Sequence, residues 1–217
     1  MKPRADWTLY AVIDPHACRG RSAQEVARLA VQGGATVVQL RDKECSTREF
    51  LALAGSLHEM LTPLGVPLII NDRLDVALAV GAEGVHVGQS DMPPSVARRL
   101  MGEDALIGLS VETEQQALAA DEGAVDYLGV GPIFATSTKA DTAPEWGLPG
   151  LRSLRSRSRH VLVAIGGVNR SNAAEVVRAG ADGIAVVSAI CAADEPEAAA
   201  AELDRIILAA RAEGRRR

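Results

Sequence analysis

The chain alternates short apolar runs with longer stretches whose apolar residues recur every three or four positions. The runs are Leu9–Ile13, Val37–Leu40, Leu68–Ile70, Val85–Val87, Leu106–Leu109, Tyr127–Val130, Val161–Ile165 and Ile184–Val187. A run with little polar alternation predicts a strand buried on both faces, as in a parallel sheet covered by helices. The stretches between them predict those helices. Val26, Leu29, Ala30 and Gly33 share one helical face behind Ser22, a capping residue. Phe50, Leu51, Ala54 and Leu57 form a second stripe after Ser46 and Thr47, and Leu203, Ile206, Ile207 and Ala210 form the last.

A repeat runs through this pattern. Gly34-Ala35, Gly81-Ala82, Gly123-Ala124 and Gly180-Ala181 each follow an amphipathic stretch and precede an apolar run. Each glycine predicts a helix ended in the left-handed conformation before the chain enters a strand. Eight strands in 217 residues leave about 27 residues per strand–helix unit, the scale of a compact (β/α)8 barrel. A dinucleotide-binding fold would need GxGxxG after the first strand, where the chain reads Asp14-Pro15-His16-Ala17-Cys18-Arg19-Gly20. No linker divides the chain. The expectation is one α/β domain over 1–217, a TIM barrel, with the basic end 212–217 frayed in solvent.

Composition changes this picture only by exclusion. Hydrophobic residues at 47% and charged residues at 24% fit a soluble globular protein and exclude a disordered one. A net charge of -5, with Arg215-Arg216-Arg217 as its one basic cluster, argues against nucleic acid or an anionic membrane as partner. Cys18, Cys45 and Cys191 form no CxxC pair, and no run has signal-peptide or membrane-span length, so a cytoplasmic protein is expected. Only Lys2, Lys43 and Lys139 among 23 basic residues are lysines, which marks the two loop lysines as candidate functional ammonium groups.

A parallel barrel gathers its chemistry at the carboxyl ends of the strands. There the chain places Gln39-Leu40-Arg41-Asp42-Lys43, Asn71-Asp72-Arg73, Gly88-Gln89-Ser90-Asp91, Ser110, Gly131 to Lys139, Gly166-Gly167 and Val187-Ser188. Glycines after the seventh strand and Ser188 opening a helix after the eighth predict a phosphate nest. Arg41, Lys43 and Lys139 supply positive charge elsewhere on the rim. Asp72 and Asp91 beside them suit a magnesium ion shared with a diphosphate, or equally serve as helix caps paired with arginines. His86, inside Gly84-Val85-His86-Val87-Gly88, reads as a hydrogen-bonded histidine of the barrel interior. A Schiff base on either loop lysine is disfavoured for Lys139, whose neighbours Thr136, Ser137 and Thr138 are polar.

Taken in order, these blocks resemble the thiamine-phosphate synthase family. The resemblance is carried by Gln39 to Lys43, Asn71-Asp72-Arg73, Gly84 to Asp91, Gly129 to Lys139 and Ala164-Ile165-Gly166-Gly167-Val168, and it spans Leu9 to about Ile190. It implies condensation of a hydroxymethylpyrimidine diphosphate with a thiazole monophosphate to thiamine phosphate and pyrophosphate. It assigns Gln39, Leu40, Arg41, Asp42, Lys43, Asn71, Ser110 and Lys139 to the pyrimidine diphosphate, with Arg41, Lys43, Ser110 and Lys139 catalytic. Asp72 and Asp91 become magnesium ligands. Thr136, Ser137, Thr138, Gly167, Val187 and Ser188 go to the thiazole phosphate. The implied reaction is a dissociative substitution, and a homo-oligomer is left open. The segment Ala140 to Gly147, with Glu145-Trp146, matches no family block. Thiazole tautomerase-like relatives tend to lack the full diphosphate set, and a non-catalytic sensor on the same barrel would lose a metal ligand or Lys139. This chain keeps them all.

Overall fold

The eight apolar runs become eight strands that hydrogen-bond in chain order, all parallel, into a closed barrel. The structure is a computed structural model describing residues 5–136 and 144–214. The strands are β1 (Leu9–Ile13), β2 (Val37–Leu40), β3 (Leu68–Asn71), β4 (Gly84–Val87), β5 (Leu106–Val111), β6 (Tyr127–Val130), β7 (Val161–Ala164) and β8 (Gly183–Val186). Their ends depart from the apolar runs by a residue or two. Around them lie α1 (Ala23–Gln32), α2 (Thr47–Leu61), α3 (Leu74–Val80), α4 (Pro94–Met101), α5 (Glu114–Ala119), α6 (Gly147–Arg157), α7 (Ala173–Arg178), α8 (Ser188–Cys191) and α9 (Pro196–Gly214).

Local chemistry sets the helix starts. The Ser22 side chain accepts from the Glu25 N–H, and Ser46 with Glu49 forms a reciprocal capping box on α2. The second stripe is narrower than its sequence suggested: Phe50, Ala54 and Leu57 are buried, but Leu51 is 39% exposed. Helix α9 packs across α1 and α7, burying Leu203, Ile207 and Ala210. It continues through Gly214, so residues 212–214 of the expected frayed end are helical, and 215–217 lie outside the described residues.

The Gly-Ala repeat has a physical basis in hydrogen bonding at the bottom of the barrel. Gly34, Gly81 and Gly180 take positive φ (101°, 73° and 112°). Gly123 does not, because α5 ends in an extended Ala120 and a turn intervenes. Just after each pair, a polar side chain receives an N–H from the first or second residue of the preceding strand. Thr36 Oγ1 accepts from Leu9, Glu83 from Leu68, Asp126 from Ile107 and Asp182 from Leu162. Each repeat thereby ties the start of one strand to the start of the next and satisfies an N–H that the sheet leaves over.

The core divides in two. The outer layer between strands and helices is aliphatic, from Leu9 and Val26 through Leu154 and Ile207. The barrel interior holds Tyr10, Val12, Val37, Ile69, Leu106, Tyr127, Val163 and Ala185. Interior packing ends below the upper rim, where the loops open a cleft. No helix among the described residues is long and apolar enough to cross a membrane.

Candidate active site

The cleft at the carboxyl ends of the strands encloses about 760 Å³. Gln39, Arg41 and Lys43 reach it from β2 and its loop, and Asn71 and Asp72 from β3. Gly88 to Asp91 border it after β4, Ser110 at the end of β5, Glu112 just after it, and Thr136 after β6. Gly166, Gly167, Val187 and Ser188 close the far side. Most of the expected site residues therefore face one cavity. Ser137, Thr138 and Lys139 lie outside the described residues.

Two expected binding residues do not reach the cleft with their side chains. Leu40 is fully buried in the outer core, since the strand alternation that aims Gln39 inward turns its neighbour toward the helices. Asp42 turns back on its own loop, where its Oδ1 accepts from the Glu44 and Cys45 N–H groups. It shapes the turn that presents Lys43.

One half of the cleft is strongly charged. Arg41 Nη1 lies 2.5 Å from Asp14 Oδ2, and both side chains are largely buried. Lys43 Nζ is 3.4 Å from Asp72 Oδ2, and Asp72 also contacts Asp91. Burial, and next the Asp91 charge, push the Asp72 carboxyl above its usual range, while Lys43 pulls it back. Asp72 sits at φ 60°, a left-handed backbone that aspartate tolerates better than most residues. The Gly88 N–H donates to Asp91 Oδ2 at 2.8 Å, holding that side chain on its loop.

Neither carboxylate caps a helix. The N-cap residue of α3 is Arg73 and that of α4 is Pro93, both without a side-chain cap, so the alternative reading of the pair as caps fails. Among the described residues no group of three or more His, Cys, Asp or Glu could hold a metal. A magnesium site needs less from the protein, one or two carboxylates with substrate phosphates and water completing the shell. Two facing hard oxygen donors, one already disfavoured in its charged form, fit that ion.

The other half is built from backbone. Gly166 and Gly167 have φ 92° and 66°. A Cβ on Gly167 would come within 2.6 Å of the Ala135 carbonyl. Phe134 and Ile133 donate their N–H groups to Gly166 and Ile165, so the β6 loop is laced to the end of β7. Beyond it, α8 is a single turn opening at Ser188, and its internal hydrogen bonds begin only with the Ile190 and Cys191 N–H groups, which donate to the Val187 carbonyl. The tight turn at these glycines is therefore real, and it faces the cleft.

His86 is an interior histidine, as expected. Its Nδ1 is 2.9 Å from the Tyr127 hydroxyl and its Nε2 2.8 Å from Ser110 Oγ. Burial lowers its pKa to about 4, which leaves the ring neutral. Cys191 and Cys18 are buried free thiols. Sequence reasoning missed Asp14, which holds Arg41, and both tyrosines, Tyr10 and Tyr127, whose hydroxyls line the cleft floor. A signal existed for the tyrosines: they are the only two in the chain, and each stands in a buried run where its hydroxyl needs a partner.

Comparison with known proteins agrees along nearly the whole chain. A family model described as thiamine monophosphate synthase matches residues 9–190. The thiamine-phosphate synthase of Albidiferax ferrireducens is 56% identical over 199 residues, covering 92% of this chain and 91% of that protein. That of Chloroflexus aurantiacus is 55% identical over 202 residues, covering 93% of each. Among solved structures, the thiamine phosphate pyrophosphorylase from Pyrococcus furiosus is similar at a TM-score of 0.86 and 37% identity, covering 95% of this chain and 98% of that one.

Proposed function

The chain belongs to the thiamine monophosphate synthase family, a transferase family of thiamine biosynthesis, and from that we propose which substrates its cleft joins and how. The pyrimidine substrate carries a diphosphate on a methylene carbon, and the thiazole phosphate supplies a ring nitrogen. The carbon–oxygen bond to diphosphate breaks with its electron pair leaving on oxygen. The thiazole nitrogen then forms the new bond to carbon, giving thiamine phosphate and pyrophosphate with no proton to move.

The observation carrying this reading is the division of the cleft. Arg41, Lys43 and the facing pair Asp72 and Asp91 stand on one side, and the Gly166-Gly167 turn with Ser188 stands on the other. The first side suits a diphosphate and the second a monophosphate. Asp72 and Asp91 would hold magnesium, which when bound supplies positive charge to the leaving diphosphate. Arg41 and Lys43 would hold the diphosphate oxygens, with Asp14 keeping the guanidinium aimed. Gln39 and Asn71 would orient the pyrimidine, and Ser110 would donate to the diphosphate or face the cationic carbon. Thr136, Gly167, Val187 and Ser188 would seat the thiazole phosphate. The resemblance adds Lys139 on the diphosphate and Ser137 and Thr138 on the thiazole side. Such a reaction needs orientation and charge stabilisation more than acid–base groups.

The test is turnover. The purified chain is given both substrates with magnesium, and pyrophosphate and thiamine phosphate are followed together. Stoichiometric appearance of both supports the reading. A folded chain that releases neither, or hydrolyses the diphosphate without joining the rings, overturns it.

A further inference from the structure

The floor of the cleft is crossed by a continuous hydrogen-bonded chain of buried side chains. Gln39 Nε2 donates to the Tyr10 hydroxyl at 2.7 Å, and that hydroxyl lies 2.7 Å from the Tyr127 hydroxyl. Tyr127 lies 2.9 Å from His86 Nδ1, and His86 Nε2 lies 2.8 Å from Ser110 Oγ. Five residues from β1, β2, β4, β5 and β6 are thus joined, beginning and ending at the cleft.

The strands make room for this chain at some cost. His86 and Tyr127 both pair in register with Gly108 of the intervening strand. A Cβ on Gly108 would stand 2.2 Å from the Tyr127 ring and 2.4 Å from His86 Nδ1. Gly129, the partner of Ser110, would likewise meet His86 at 2.9 Å. Glycine weakens a strand interior, so two against the His86 ring mark a close approach made at the expense of packing.

We propose that His86 and Tyr127 are positioning residues whose hydrogen bonds fix the His86 ring as its Nε2–H tautomer and thereby leave the Ser110 hydroxyl proton free to point at the pyrimidine diphosphate. The direction is the one that gives every buried proton of the chain an acceptor. Burial raises the pKa of both phenols, so each keeps its single proton. Tyr10 accepts from Gln39 and spends its proton on Tyr127. Tyr127 spends its own on Nδ1. A neutral imidazole that accepts at Nδ1 carries its one proton on Nε2 and donates it to Ser110 Oγ. Ser110 has then no acceptor at His86, and its own proton turns to the cleft. The clause about substrate rests on the proposed function; the direction of the chain does not.

The test begins without substrate. The full chain labelled with ¹⁵N-histidine is examined by long-range ¹H–¹⁵N correlation at neutral pH, with His86 assigned by the signals lost in His86→Gln. The expected pattern is a protonated Nε2 and a bare Nδ1. A protonated Nδ1, alone or together with Nε2, overturns the proposal. Tyr127→Phe should shift the ring toward a tautomer mixture and lower kcat on the order of tenfold, with the KM for thiazole phosphate unchanged. Retention of both the Nε2–H ring and kcat in that variant would overturn the positioning role. His86→Gln, which can still present a donor near the Nε2 position, should keep more kcat than His86→Leu, and equal losses would count against the proposal. A wild-type chain with the Nε2–H ring but no pyrophosphate release would sink the synthase reading while supporting the direction of the chain.

Discussion

Lys43 Nζ stands 3.4 Å from Asp72 Oδ2, on a carboxylate that also contacts Asp91. One ammonium is thus set against two acids at the mouth of a cleft read as a diphosphate site. The raised pKa of Asp72 says that its ionised form is held at a disadvantage in the free protein. A cation between the acids would remove that disadvantage and release Lys43 to the substrate.

Asp72→Asn should therefore separate activity from stability. Asparagine tolerates the left-handed backbone at this position, so the fold survives. Because the folded carboxyl has a raised pKa, the stability it contributes is present at low pH and lost as pH rises through that value. At neutral pH its removal should leave the thermal midpoint unchanged or higher. Magnesium should raise the midpoint of the wild type and not that of the variant, as ligand linkage requires. Turnover should fall steeply. Equal magnesium stabilisation of both proteins, measured by calorimetry with EDTA controls, would refute the metal assignment.

His86 predicts an opposite pH dependence. Its folded pKa is lowered to about 4 from an unperturbed 6.5, so unfolding takes up a proton between those values. The stability it contributes is present above about pH 6.5 and is lost as pH falls toward 4. His86→Gln should flatten the fall of the thermal midpoint across this window. Parallel midpoint curves for the two proteins would show that the ring is not held neutral.

The barrel was legible because its strands are buried on both faces, and continuous apolar runs such as Leu68–Ile70 and Tyr127–Val130 carry that signature into sequence. The rim was legible because each strand end hands over to a polar block. What escaped was side-chain direction. Leu40 sits inside a binding block yet faces the helices, since period-two alternation places it opposite Gln39. Asp14 accepts from the His16 N–H in its own turn, but its second oxygen holds Arg41 across 27 positions of sequence. Hydrogen bonds between residues as distant as Tyr10 and Tyr127 leave no local periodicity to read.

Asp14 leads to a prediction about positioning. With both partners largely buried, Asp14→Asn removes the charge that aims the Arg41 guanidinium while keeping the side-chain cap on the His16 N–H. The variant should raise the KM for pyrimidine diphosphate and leave thiazole phosphate binding intact. Arg41→Lys, which keeps charge but loses the two-pronged geometry, should resemble it. An unchanged KM in both would mean that Arg41 is structural.

The thiazole half is tested at Ser188 and Gly167, which behave differently. Ser188→Ala removes a hydroxyl from the first turn of α8 that makes no side-chain hydrogen bond among the described residues, so its effect should be confined to binding. Calorimetric titration should show thiazole phosphate weakened by about 0.5–1.5 kcal/mol, the worth of one hydrogen bond, and pyrimidine diphosphate unaffected. Gly167→Ala combines a φ of 66° with a Cβ placed 2.6 Å from the Ala135 carbonyl. It should shift the β6 loop and cost about 1–3 kcal/mol in stability besides weakening thiazole phosphate. The two variants together separate nest from hinge. Loss of both ligands in Ser188→Ala would dissolve the two-sided partition of the cleft, and an unperturbed thermal midpoint in Gly167→Ala would show that the loop yields where the packing says it cannot.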